Sequence, residues 1–147
     1  MVKKILMALV AVFGISVAAM ASDTFAHDAS VLPMAAQTTL KNNFKAKVSV
    51  VKIDKELGRI KEYDVVLTDG TEIEFDHNGN WKDVEVSASK SVPSAFVPAG
   101  VAAAVKKLQP KQKIIGIEKK KNGYEVDLSN GVEMKFDKQG NFIKYDK

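Results

Sequence analysis

The sequence predicts an α+β protein built as two tandem repeats, each one helix followed by four short antiparallel strands. Two observations carry this. Tyr63 to Trp81 (Y-D-V-V-L-T-D-G-T-E-I-E-F-D-H-N-G-N-W) returns from Tyr124 to Phe142 as Y-E-V-D-L-S-N-G-V-E-M-K-F-D-K-Q-G-N-F. Each copy is preceded by a strand pattern and, before that, by a Pro-initiated helical pattern. Internal repetition of this kind sets architecture before any single residue is considered.

The chain begins Met1-Val2-Lys3-Lys4, continues with an apolar run from Ile5 to Met20 and carries Ala19-Met20-Ala21 at its end. A basic start, an apolar middle and an A-x-A site read as a secretory signal peptide, residues 1–21, cleaved after Ala21. The expected location is therefore periplasmic or secreted, with no stable membrane insertion after removal. Loss of Lys3 and Lys4 from the 22 basic and 18 acidic residues leaves a formal net charge of +2, which argues against nucleic-acid binding. There is no cysteine, so packing rather than disulfides must stabilise the fold.

Residues 22–30 (S-D-T-F-A-H-D-A-S) show no periodicity and read as a flexible leader. The first repeat, 31–86, opens with V-L-P-M-A-A-Q-T-T-L-K-N-N-F, where Pro33 suits a first helical turn and Ala36, Leu40 and Phe44 recur on one face. Val48 to Asp54 is β-branched and reads as a strand.

The hairpin from Tyr63 then has one sensible register. A two-residue Asp69-Gly70 loop would set Leu67 against Glu72. A three-residue loop, Thr68-Asp69-Gly70, sets Val65 against Ile73 and Tyr63 against Phe75, leaving one apolar face. Gly70 then takes the left-handed third position of the loop. Ser129-Asn130-Gly131 repeats the device, and His77-Asn78-Gly79 and Lys138-Gln139-Gly140 make the next turns. Beyond these, Val84, Val86, Ile143 and Tyr145 fall out of phase, which predicts a bulge or a strand passing from one core to another environment. Residues 87–94 form a polar linker. The second repeat, 95–147, brings a helix with Val101, Val105 and Leu108 on one stripe, the strand Ile114 to Glu118 and an Asn122-Gly123 turn into Tyr124.

The signal peptide, the paired L-P and V-P helix starts and the twice-used Y-x-V-x-L-x-[DN]-G-x-E-x-x-F-D block resemble the PepSY-like, β-lactamase-inhibitor-protein-like family of small secreted proteins. The resemblance spans about Val31 to Lys147. It implies a helix packed on one face of a four-stranded antiparallel sheet in each repeat, with the two sheets joined into one curved sheet. In the inhibitor, the exposed sheet face grips a partner enzyme, and related propeptide-type domains hold proteases inactive. This chain lacks the inhibitor's disulfides, so the identity of its partner does not carry over.

Chemistry-bearing residues are few. Glu72, Glu74 and Asp76 alternate with apolar residues and read as a solvated sheet face, because the matching triplet Glu133-Lys135-Asp137 is not an acid cluster. Asp76 to Asn80 lacks the spacing of a calcium loop and is explained by a turn. His27 and His77 make no zinc site, and no serine has a G-x-S-x-G setting. Seven lysines between Lys106 and Lys121 are spread over three elements and read as solvated surface. Trp81 and Phe142 read as core aromatics.

The expectation is thus a non-enzymatic, cofactor-free and metal-free exported module that binds, and in one version inhibits, another protein through its exposed sheet face. That face comprises Asp64, Val66, Glu72, Glu74 and Asp76 in the first repeat, and Glu125, Asp127, Glu133, Lys135 and Asp137 in the second. The alternative is a sensor or carrier of a small molecule or ion bound between the repeats.

Overall fold

Strand pairing follows the order of the chain throughout. The computed structural model describes residues 23–146; the signal peptide expected over residues 1–21 lies outside them. One antiparallel sheet contains β1 (Thr24–Ala26), β2 (Val48–Glu56), β3 (Arg59–Leu67), β4 (Glu72–Asp76), β5 (Trp81–Glu85), β6 (Ile114–Lys120), β7 (Gly123–Leu128), β8 (Glu133–Asp137) and β9 (Phe142–Asp146), each beside the next. Two ten-residue helices, α1 (Met34–Asn43) and α2 (Ala99–Leu108), precede β2 and β6.

This corrects the expectation of two repeats, each a helix on its own four-stranded sheet. Among the described residues there are nine strands in a single sheet, and the helices are accessories to it. The reason lies in what each element buries. Only Ala36 and Leu40 of α1, and Val101 and Val105 of α2, are buried, while most of the apolar core comes from the strands. Leu108, expected on the buried stripe, is exposed.

The ninth strand comes from the expected leader. Thr24, Phe25 and Ala26 pair with Ile53, Lys52 and Val51, and His27 Nδ1 lies 2.9 Å from the Ser49 carbonyl oxygen. Three residues are too few to show periodicity. Pairing satisfies backbone groups on the outer edge of β2 that would otherwise stand open.

The described chain divides after Trp81 into two compact units. In the first, the three-residue loop forms as the apolar pattern requires. Val65 pairs with Ile73 and Tyr63 with Phe75, and the Leu67 amide donates to the Thr71 carbonyl. Gly70 has φ +84. Tyr63, Val65, Leu67, Ile73 and Phe75 are all buried, each worth roughly 1.5–3 kcal/mol. Gly79 at φ +86 closes the next turn directly against α1, and a Cβ there would meet Pro33 Cβ at 2.9 Å and the Ala36 nitrogen at 3.0 Å.

The second unit uses the same local chemistry. Val126 pairs with Met134 and Tyr124 with Phe136, and the Gly140 turn sits against Gly100 at the start of α2. Phe136 and Phe142 pair edge to face at 5.9 Å. The phase slip is a bulge between Lys135 and Phe136 in the β8–β9 pairing, which leaves Ile143 and Tyr145 exposed. The β6–β7 turn is one residue earlier than expected, with Lys120 paired to Gly123. Among the described residues, no helix is long and apolar enough to cross a membrane.

Candidate functional site

Because β-strand side chains alternate, Tyr63, Val65 and Leu67 facing the core put Asp64 and Val66 on the other face of β3. Glu72, Glu74 and Asp76 follow on β4, Glu125 and Asp127 on β7, and Glu133, Lys135 and Asp137 on β8. Cross-strand register then decides which of these residues meet.

In the second unit two rows cross the sheet. Glu85, Gly116, Asp127, Glu133 and Asp146 are successive partners on β5 to β9. Two residues along, the partners are Asp83, Glu118, Glu125, Lys135 and Lys144. Gly116 is the one position in the first row without a side chain, and a Cβ there would lie 3.1 Å from Asp127 Oδ2. A pocket of about 390 Å³ is lined by the first row, by Asp83, Glu118 and Glu125 of the second, and by Ile117 and Lys120. Lys120 Nζ lies 2.9 Å from Glu118 and 3.5 Å from Glu125, while Lys135 Nζ lies 3.5 Å from Glu125 and 2.6 Å from Asp146.

Even with these lysines the pocket remains acidic. Burial, then the neighbouring Glu133, Glu125 and Glu118, push the Asp127 carboxyl up to about 6. Hydrogen bonding to Glu118 holds Lys120 above the usual lysine range, and Asp146 does the same for Lys135.

The first unit places different residues in corresponding rows. Lys52, Asp64 and Glu74 are partners on β2, β3 and β4, and Asp54, Glu62 and Asp76 have paired positions beside them. Asp64 is only 4% exposed. Ligating oxygens of Glu62, Asp64 and Glu74 lie within 4.8 Å of one another. Lys52 Nζ is 3.9 Å from Asp64 Oδ2 and 3.6 Å from Asp23. Asp64 Oδ1 is buried without a hydrogen-bond partner. Burial first, then Glu74 and Glu62, push the Asp64 carboxyl up to about 7 against the pull of Lys52.

Asp76 and Asp137 are engaged in turns. Asp76 Oδ1 accepts from the Asn78 and Asn80 amides at 2.9 Å, and Asp137 Oδ1 from those of Gln139 and Asn141 at 2.9 and 2.8 Å. Val66 stands in the row of Val50 and Glu72, where the second unit has Asp127. Sequence reasoning missed Glu62, Asp83, Glu85, Glu118, Lys120 and Asp146. They flank the recurring block or fall beyond the phase slip, and only register brings them to the named residues.

The family model described as "Putative beta-lactamase-inhibitor-like, PepSY-like" matches residues 61–144. No curated protein matches the chain. Among solved structures, a Bacteroides vulgatus protein described as a "putative periplasmic protein of unknown function" is 37% identical. Its TM-score is 0.80, with coverage of 86% of this chain and 100% of that one. A Bacteroides thetaiotaomicron protein described as a "putative calcium-regulated periplasmic protein" is 36% identical, with TM-score 0.77 and coverage of 85% and 97%. A second B. vulgatus protein, described as a "putative periplasmic protein from DUF2874 family", is 38% identical, with TM-score 0.76 and the same coverage.

Proposed function

The chain belongs to the β-lactamase-inhibitor-like, PepSY-like family, and we propose that it works as a periplasmic, non-enzymatic binding module. Its acidic sheet face receives a positively charged segment of another protein. The observation that carries this reading is the row Glu85, Gly116, Asp127, Glu133 and Asp146, whose four carboxylates line one pocket.

Such a pocket favours a lysine or arginine side chain over an anion, and charge complementarity of this kind supplies register and association rate. The signal-peptide pattern at the N-terminus and the periplasmic descriptions of the similar structures support export. The absence of cysteine from the sequence and of a G-x-S-x-G serine supports a binding role over hydrolysis.

Pull-down from envelope extract tests the reading with wild type, Glu85→Lys and Lys135→Glu. Partner recovery should fall at least tenfold for Glu85→Lys and be kept or rise for Lys135→Glu. Equal recovery from all three overturns the site. Calcium is a condition to vary, with and without chelator, since one similar protein is described as calcium-regulated.

A further inference from the structure

We propose that Glu62, Asp64 and Glu74 form a binding site for a hard divalent cation of calcium size, separate from the pocket of the second unit. Two independent observations converge on it.

The first is geometric. Asp64 and Glu74 are direct cross-strand partners, and Glu62 is two residues from Asp64 on the same face of β3. Their ligating oxygens lie within 4.8 Å of one another. An ion that holds each oxygen at about 2.3–2.6 Å in irregular geometry can take up such a set, whereas magnesium demands near-ideal octahedral geometry and gives up its water reluctantly. The donors are all carboxylate oxygens, the chemistry that selects hard cations over zinc or copper. Water completes the shell.

The second is the Asp64 carboxylate itself. It is 4% exposed, and its Oδ1 is buried with no hydrogen-bond partner. A buried acceptor in this state carries a desolvation penalty, and a bound ion is one of the few groups that relieves it. Lys52 does not fill this role. Its ammonium approaches the other oxygen, Oδ2, at 3.9 Å, which is ion-pair distance rather than hydrogen-bond distance, and it also serves Asp23.

Comparison of the rows sharpens the point. Where the first unit has Glu74 opposite Asp64, the second has Lys135 opposite Glu125, with its ammonium 3.5 Å away. The first unit places another carboxylate there, with Asp54 adding negative charge and Lys52 positive charge from β2.

Thermal melting and isothermal titration of residues 22–147 with CaCl2, against MgCl2 and against NaCl at equal ionic strength, test the site. Wild type should show saturable 1:1 calcium binding with a rise in Tm that follows saturation. Asp64→Asn should bind at least tenfold more weakly. Glu74→Lys, which copies the second unit's own solution, should stay folded and lose the response. Glu85→Lys and Asp127→Asn should keep it. No saturable calcium binding at millimolar concentration overturns the proposal, as does binding that survives both Asp64→Asn and Glu74→Lys. Binding lost only in the second-unit variants also overturns it, and a stronger response to magnesium than to calcium refutes the size argument.

Discussion

Gly116 lies directly opposite Asp127, and the space a side chain would take on Gly116 is occupied by the Asp127 carboxylate, 3.1 Å from where a Cβ would stand. Gly116→Val pushes this carboxylate toward water. Asp127 Oδ2 at 3.1 Å and its Cβ at 3.3 Å must both give way, so the cost is about 1–3 kcal/mol. Carbon-detected NMR titration should then find Asp127 titrating nearer the ordinary carboxylate range, and partner recovery should drop as the pocket closes.

Asp127 also makes stability depend on pH. Its folded pKa of about 6 exceeds its unfolded value of 3.8, so the native state binds the proton more tightly. The native state therefore gains stability below pH 4 and loses it as pH rises through about 6. Asp127→Asn should be more stable than wild type at pH 7.5, by on the order of 1 kcal/mol after solvent screening, with the gain largely gone at pH 3.5. Urea midpoints at the two pH values check this.

Asp76 acts in the opposite sense. Burial raises its pKa, but hydrogen bonds from Asn80 and Asn78 outweigh this and hold it below the usual carboxylate value. Its contribution is present above pH 4 and lost as pH falls through the folded value. Asp76→Ala should cost about 1–3 kcal/mol at pH 7 and less at pH 3, with Asp76→Asn between the two, again by urea denaturation.

Gly70 and Gly79 share a left-handed backbone but not surroundings. A Cβ on Gly70 meets nothing within 4 Å, while one on Gly79 meets Pro33 and the α1 backbone. Gly70→Ala should cost about 1–2 kcal/mol and Gly79→Ala about 2–4 kcal/mol, the difference being overpacking against the helix. Thermal melts of the two variants side by side check the ranking.

The hairpin registers were legible because a one-residue slip would have put Glu72 and Glu74 into the core, and only the three-residue loops avoid it. The strand Thr24 to Ala26 was not legible, since it owes its state to the open edge of β2 rather than to its own three residues. The single nine-stranded sheet was hidden for a related reason: the periodic helices drew the reading toward helix-covered units, yet each buries only two side chains. The acidic pocket was half visible. Asp127 and Glu133 stand in the recurring block, but Glu85 and Asp146 lie outside its shared pattern, and Gly116 matters only by being opposite Asp127.

A sheet whose spatial order is its chain order has a kinetic consequence. Every strand after β1 pairs with the strand that precedes it in the chain, so loop-closure entropy is low for the hairpins and largest for the β5–β6 connection that carries α2. Folding can advance strand by strand from either end without waiting for a distant segment. A chain delivered end-first across a membrane would need its N-terminal hairpins to hold only briefly before the next strand covers their open edge.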